Sequence, residues 1–239
     1  MPPKIIIIGA TSGLGKEMAL LYLAQGCRVG ITGRRQHLLE EIKNRYPQQV
    51  FTRCFDVTQP GNQQHLSAMI AALGRLDLLI YNAGVGDVSE QLDWNIENTT
   101  TLTNVNGFVE IVSYAFNYLV RQGYGQIAVI SSIAALRGNS WAPAYSASKA
   151  YMSLYAESLN LKAHRLQKPI VVTDVKPGFL ATKPSKGNKR FWVAPPAKAA
   201  RQIVNALRRK KRKVYITKRW WLIAKLLPVI PYFLYKRLT

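Results

Sequence analysis

Several absences narrow the class of this chain. Its 239 residues include only two cysteines, Cys27 and Cys54. Two isolated thiols provide neither a disulfide framework nor zinc-ligand spacing, so both read as reduced side chains near a core. The three histidines, His37, His65 and His164, fall on predicted helices without ligand-like spacing, which argues against a metal site. No internal repeat or low-complexity linker is evident. The opening run Ile5-Ile6-Ile7-Ile8 is too short for a signal-peptide core and leads into glycines rather than a cleavage site, so a cytoplasmic protein is expected. With 48% hydrophobic residues, the chain can fill a sizeable core, and its length suits one large α/β domain.

Acid is the scarcest commodity. Asp and Glu number 12 against 33 Lys and Arg, a formal net charge of +21. From Lys183 to Thr239 there is no Asp or Glu, while 17 of the 33 basic residues lie there. So local a bias suggests an anionic partner (membrane surface, nucleic acid or acidic substrate), or else a solvated basic face. The run Arg208-Arg209-Lys210-Lys211-Arg212-Lys213 is basic enough for nucleic acid. It has no interleaved aromatics and sits where a last helix should turn into a strand, so nucleic acid is not the expected partner.

The final stretch, 217–239, reads as an apolar and basic extension of a 1–216 domain. Its apolar run, 220–235, falls short of the roughly 20 residues that span a bilayer, and Lys225, Pro228 and Pro231 interrupt it. Trp220, Ile223, Ala224 and Leu227 follow helical spacing and form one stripe, with Lys218 and Lys225 on another side. Trp220, Trp221, Tyr232 and Tyr235 are residue types favoured at headgroup level. The expectation is a peripheral contact with the inner face of a membrane. The alternative is that the stripe packs on its own domain or on a dimer partner.

Short β-branched runs alternate with longer helical patterns. This predicts a Rossmann-like, doubly wound parallel α/β sheet of about seven strands with helices on both faces. Strands are expected over 4–8, 28–32, 49–55, 76–81, 126–131, 170–175 and 213–216. Helices are expected over 14–25, 36–45, 64–73, 91–122, 144–165 and 196–209, the first capped by Gly26. Ligands of such sheets bind beyond the carboxyl ends of the strands, here just after Ile8, Tyr81, Ser131 and Val175.

The loop after the first strand holds Gly9, Thr11, Ser12, Gly13, Leu14 and Gly15 and opens a helix. Glycines there permit a tight turn and let the backbone approach a pyrophosphate at the helix N-terminus. The second strand ends Gly33-Arg34-Arg35. An NAD site would usually place a carboxylate there for the ribose 2′-hydroxyl; glycine followed by two guanidinium groups suits a 2′-phosphate. Asp56 could accept a hydrogen bond from the adenine amino group or serve as a turn aspartate. Tyr145 and Lys149, at i and i+4, share a helix face. An ammonium close to a phenol lowers its pKa, which makes Tyr145 a candidate general acid/base. Ser132 could hydrogen-bond the same substrate oxygen. Trp141, in the loop before Tyr145, reads as a substrate wall or as packing.

Taken together, the pattern resembles the short-chain dehydrogenase/reductase family over about residues 4–216. The matching pieces run in the family's order: the Gly9–Gly15 loop, Asp56-Val57, Asn82-Ala83-Gly84, Asn104 before Gly107, Ser131-Ser132, Tyr145 with Lys149, and Pro177-Gly178 with Thr182. The resemblance selects Ser132 over Ser131 and Asn104 over Asn106. It implies that Tyr145 transfers the proton and Ser132 polarises the substrate oxygen. Lys149 would hold the nicotinamide ribose and lower the tyrosine pKa, with Asn104 supporting a water next to it. Asn82, Ala83, Gly84 and the segment from Pro177 through Gly178 to Thr182 would contact the cofactor, NADP(H) by virtue of Arg34 and Arg35. A homo-oligomer is expected too: the helix carrying Phe108, Tyr114, Phe116 and Tyr118 often forms a dimer interface in the family, although a core face would look the same. Ile8 stands where the family usually has Thr, Tyr81 where Asn is frequent, and Ser12 where some NADP-preferring members carry a basic residue. The implied activity is interconversion of a carbonyl and an alcohol, expected to run as a reductase; the competing reading is an NADP(H)-binding regulatory or scaffold protein without turnover.

Overall fold

The computed structural model describes residues 2–181 and 191–237. Seven strands form at the expected places: β1 (Lys4–Ile8), β2 (Arg28–Gly33), β3 (Val50–Cys54), β4 (Leu78–Tyr81), β5 (Gly125–Ile130), β6 (Ile170–Pro177) and β7 (Lys213–Ile216). All pair in parallel, in the order β3-β2-β1-β4-β5-β6-β7. The order reverses between β1 and β4, where Ile8 lies opposite Tyr81. That reversal opens the crevice in which ligands of such sheets bind.

The four isoleucines of β1 show why its sequence does not alternate. Ile5 and Ile7 enter one core, with α1 (Gly13–Leu23), α2 (Gln36–Arg45) and α7 (Pro196–Arg208). Ile6 and Ile8 enter the other, with α3 (Asn62–Leu73), α5 (Gly107–Gln122) and α6 (Pro143–Arg165). Both faces are covered, so both sets of side chains must be apolar. Each fully buried isoleucine contributes about 1.5–3 kcal/mol of transfer free energy. Gly26 performs the expected termination of α1: its φ is +75° and its N–H donates to the Leu23 carbonyl at 2.9 Å.

The expected single helix over 91–122 is not one helix. It divides into α4 (Trp94–Thr101), a π-helical turn at Leu102–Asn106, and α5. Tertiary bonds hold that turn: the Tyr81 hydroxyl donates to the Thr103 carbonyl at 2.8 Å, and Asn104 bonds to both backbone groups of Val85. Phe108 and Phe116 of α5 are buried in the core of their own chain, while Tyr114 and Tyr118 are half-buried against it.

Beyond β7 the chain forms α8 (Trp220–Leu226), a 3₁₀ turn (Leu227–Val229) and α9 (Tyr232–Tyr235). The apolar stripe expected to meet a membrane faces inward instead. Trp220 and Ala224 are buried, and Ile223 and Leu227 are half-buried. The indole of Trp220 occupies room left by Gly178, where any Cβ would overlap the ring. No helix among the described residues is long and apolar enough to cross a membrane.

Candidate active site

The residues singled out in the sequence converge on the carboxyl edge of the sheet. The turn after β1 is compact. Gly9 has a φ of +83°, and a Cβ on it would lie 2.8 Å from the backbone nitrogen of Ala83, so only glycine fits that crossing. The Asn82 side chain ties the two strand ends together by donating to the Gly9 carbonyl at 2.6 Å. Asn82, Ala83 and Gly84 thus line the same crevice as the glycine loop. Within that loop Thr11 is buried and Ser12 exposed, whereas the Leu14 side chain belongs to the core. Leu14 and Gly13 therefore have only backbone to offer a ligand there.

Two arginines follow β2, and they are held differently. Arg35 donates through one Nη2 to Thr11 Oγ1 and Ser12 Oγ, both at 2.7 Å, so its guanidinium sits on the glycine loop. Arg34 is largely exposed and lies 3.5 Å from Asp56. Burial pushes the Asp56 carboxyl up, but bonds from Thr58 N and Oγ1 and the nearby Arg34 outweigh it and hold Asp56 below its usual range. The turn role of Asp56 is thus realised through Thr58. Neighbouring Val57 packs into the core and its carbonyl accepts from Asn62. Gly33 has a steric reason to be glycine: a Cβ on it would lie 2.5 Å from Thr11 Cγ2.

The reacting end is built by β5, α6 and the π-helical turn. Ser132 follows β5, is nearly buried, and accepts from the Ala134 N–H at 3.1 Å. Ser132 is also close enough to the Tyr145 phenol to affect its protonation. Burial raises the Tyr145 pKa, and nearby Ser132 partly offsets the rise. Lys149 Nζ lies 5.8 Å from the ring centroid, and the expected lowering by it does not appear; desolvation dominates. Lys149 is itself buried. It donates to the Ile130 carbonyl at 3.0 Å, and burial pushes its pKa down to about 8 against an upward pull from Asp174. Gly84 leaves space beside it: a Cβ there would lie 3.0 Å from Lys149 Nζ and 3.3 Å from Asn104 Oδ1. Asn104 donates to Ser148 Oγ at 3.0 Å, one turn from Tyr145 on the same helix. Pro177 ends β6 and Gly178 meets Trp220, whereas Thr182 lies outside the described residues.

One cluster behind this edge escaped the sequence reading. Asp174 and Lys176 of β6, both 2% exposed, pair at 2.9 Å. Ser131 and Ser153 donate to Asp174 at 2.5 and 2.7 Å, and Lys176 donates to Ser153 at 2.6 Å. The Ser131 bond fixes the segment that carries both Ser132 and the Ile130 carbonyl. A signal was available: Asp and Lys at i and i+2 share one face of a strand. In a strand otherwise this apolar, such a pair must be buried together.

The family model for short chain dehydrogenase matches residues 3–191. The chain belongs to the short-chain dehydrogenase/reductase family. Family membership makes it an oxidoreductase working on a carbonyl/alcohol pair with a nicotinamide cofactor, NAD(H) or NADP(H). An uncharacterised oxidoreductase of Myxococcus xanthus is 33% identical over 74% of this chain and 72% of its own length. The 11-beta-hydroxysteroid dehydrogenase 1A of Arabidopsis thaliana is 30% identical, covering 91% of this chain and 68% of that protein. Among solved structures, a short-chain dehydrogenase from Streptomyces avermitilis superposes with a TM-score of 0.81. It is 25% identical and covers 90% of this chain and 89% of its own.

Proposed function

We propose that the chain is an NADP(H)-dependent reductase that turns a carbonyl into an alcohol, with Tyr145 as general acid. The observation carrying this reading is the placement of Tyr145 beside buried Lys149, whose Nζ is fixed by the Ile130 carbonyl and lies 5.8 Å from the Tyr145 ring centroid. The glycine loop fits the cofactor's pyrophosphate, since the Gly9 crossing and the buried Thr11 leave a backbone-lined cradle at the start of α1. Arg34 and Arg35 would hold the 2′-phosphate, and Gly33 has no room for the carboxylate that would favour NAD. Asp56 and Val57 would border the adenine, and Asn82, Ala83, Gly84, Pro177, Gly178 and Thr182 the nicotinamide half. When bound, the cofactor supplies the hydride.

The chain's own residues supply the rest. Ser132 orients and polarises the substrate oxygen. Tyr145, kept protonated by burial, gives that oxygen its hydroxyl proton as negative charge develops there. Lys149, with a pKa near the working range, would hold the ribose and return a proton to Tyr145. Asn104 maintains the turn beside Lys149. Reduction is the favoured direction because NADPH pools are generally kept reduced. A second copy of the chain belongs to this reading, since α6 turns Tyr151, Leu154 and Leu161 outward.

The test is NADPH oxidation, followed by absorbance, against a panel of aldehydes and ketones. Tyr145→Phe should cut turnover about 10²–10⁴-fold while cofactor binding survives. Near-normal turnover in that variant would contradict the mechanism. Binding of NADPH with no turnover on any carbonyl, by contrast, would favour the regulatory reading.

A further inference from the structure

The outward face of the C-terminal tail is apolar and basic at once. Trp221, Leu222 and Leu226 of α8 are exposed, as are Val229 at 71%, Tyr232 at 75% and Phe233 at 60%. Lys218, Arg219, Lys225, Lys236 and Arg237 are exposed around them. Lys218, Trp221, Leu222 and Lys225 stand at i, i+3, i+4 and i+7, so cations and apolar side chains share one outward arc. This arc lies opposite the buried one that carries Trp220 and Ala224.

The face is held in place. Arg137 donates to the Leu227 carbonyl at 3.0 Å and to the Ile230 carbonyl, and its guanidinium lies 4.3 Å from the Tyr235 ring centroid. The Tyr235 hydroxyl donates to the Gly138 carbonyl at 2.6 Å. Arg137 and Gly138 belong to the segment joining Ser132 to Tyr145. On the other side, Trp220 packs against Gly178 and lies 5.4 Å, centroid to centroid, from Phe179. The exposed arc is thereby fastened to both segments that border the candidate active site.

We propose that this face seats on an anionic lipid bilayer and that the active site takes a carbonyl or alcohol dissolved in that bilayer. The substrate clause rests on the oxidoreductase mechanism proposed above; the docking clause does not. Charge selects the bilayer over a second copy of the same face. Five exposed cations with no acid in sequence from residue 183 onward would repel their own image, whereas lipid phosphates complement them. The aliphatic Leu222, Leu226 and Val229 select it over nucleic acid, whose bases stack on aromatic rings but give branched side chains no apolar medium. Lysine stems can lie along the apolar surface while their ammonium groups reach the headgroups.

The experiment sediments the full chain with vesicles of phosphatidylglycerol mixed into phosphatidylcholine. The wild type should pellet with these and not with phosphatidylcholine alone. Trp221→Asp combined with Leu222→Asp should lower partitioning at least about tenfold. Lys218→Glu and Lys225→Glu should each lower it about fivefold or more. Thermal melting by circular dichroism checks that the variants fold. A wild type left in the supernatant overturns the docking. So does a wild-type dimer, without vesicles, that the double aspartate variant splits. For the substrate clause, hexadecanal in the vesicles should be reduced faster by the wild type than by the double variant, with butanal in solution reduced equally by both. Equal rates on hexadecanal overturn that clause. Sedimentation needs no turnover, so docking with no turnover on any carbonyl of the panel above overturns the oxidoreductase mechanism and leaves the docking standing.

Discussion

The carboxyl edge of the sheet and the C-terminal tail handle charge in opposite ways. At the edge, Lys149, Asp174 and Lys176 are buried, and every one has a named partner within 3.0 Å. Arg35 is fixed by two hydroxyls. In the tail, Lys218, Arg219, Lys225, Lys236 and Arg237 all face water among apolar side chains. The edge uses charge as geometry, where one displaced group matters. The tail uses it as a field, where the sum matters and individual positions are nearly interchangeable.

The sharpest way to break this contrast is to remove one charge from each region. Asp174→Ala leaves Lys176 buried without its counter-ion and should cost about 3–5 kcal/mol of stability. Lys225→Ala should stay within about 0.5 kcal/mol. Urea unfolding measures both, and comparable losses would end the distinction.

A somewhat smaller effect is expected from pH. The Lys149 pKa stands at about 8 in the fold against 10.5 for a free lysine side chain. The unfolded chain therefore keeps that proton to higher pH. The penalty for protonating the folded lysine is fully present below about 8 and is relieved as pH rises towards 10.5. At about 1.4 kcal/mol per pH unit, the full gain is on the order of 3 kcal/mol. Lys149→Met should lack that rise, so the difference between the two unfolding free energies should change between pH 8 and pH 10. Above pH 10 the raised phenols of Tyr22, Tyr81 and Tyr145 work the other way, since the unfolded chain loses those protons first. A parallel pair of curves would mean that Lys149 is not desolvated as the structure has it.

The smallest of the three concerns cofactor choice. Arg34→Ala, measured by fluorescence titration, should weaken NADPH about ten- to a hundredfold and leave NADH nearly unchanged, as expected for one charge-assisted contact of about 1.5–3 kcal/mol. Equal losses for both cofactors would remove the 2′-phosphate assignment. Arg35→Ala should in addition loosen the loop through Thr11 and Ser12, so it should also affect NADH.

The sheet was legible because a strand covered on both faces must be largely apolar, and β1 and β4 announce that directly. The glycine loop, Ser132, Tyr145 and Lys149 were legible because their roles depend on short spacings. What escaped depends on partners far apart in sequence. Nothing in Leu102-Thr103-Asn104-Val105-Asn106 marks a break in helical periodicity; the π-helical turn is held by Tyr81 and Val85 from another part of the chain. The tail's stripe was visible in its spacing, but what covers it was not, because the covering feature is a missing side chain at Gly178. Asp174 and Lys176 passed unnoticed because a charged pair reads as solvated until the strand is known to be interior.

Gly33 also constrains how this binding site could change over evolutionary time. On the NADP(H) reading proposed above, a shift towards a cofactor without the 2′-phosphate calls for a carboxylate at the end of β2. The first carbon of any such side chain runs into the methyl of Thr11 at 2.5 Å, and a β-branched residue has little rotamer freedom with which to yield. Thr11→Ser removes that methyl and retains a hydroxyl for Arg35. The two substitutions therefore have a passable order, Thr11→Ser before Gly33→Asp, while the reverse order runs through an overpacked intermediate. Cofactor preference is in this sense historically contingent: a lineage can leave it only by first accepting a change that brings no gain in selectivity.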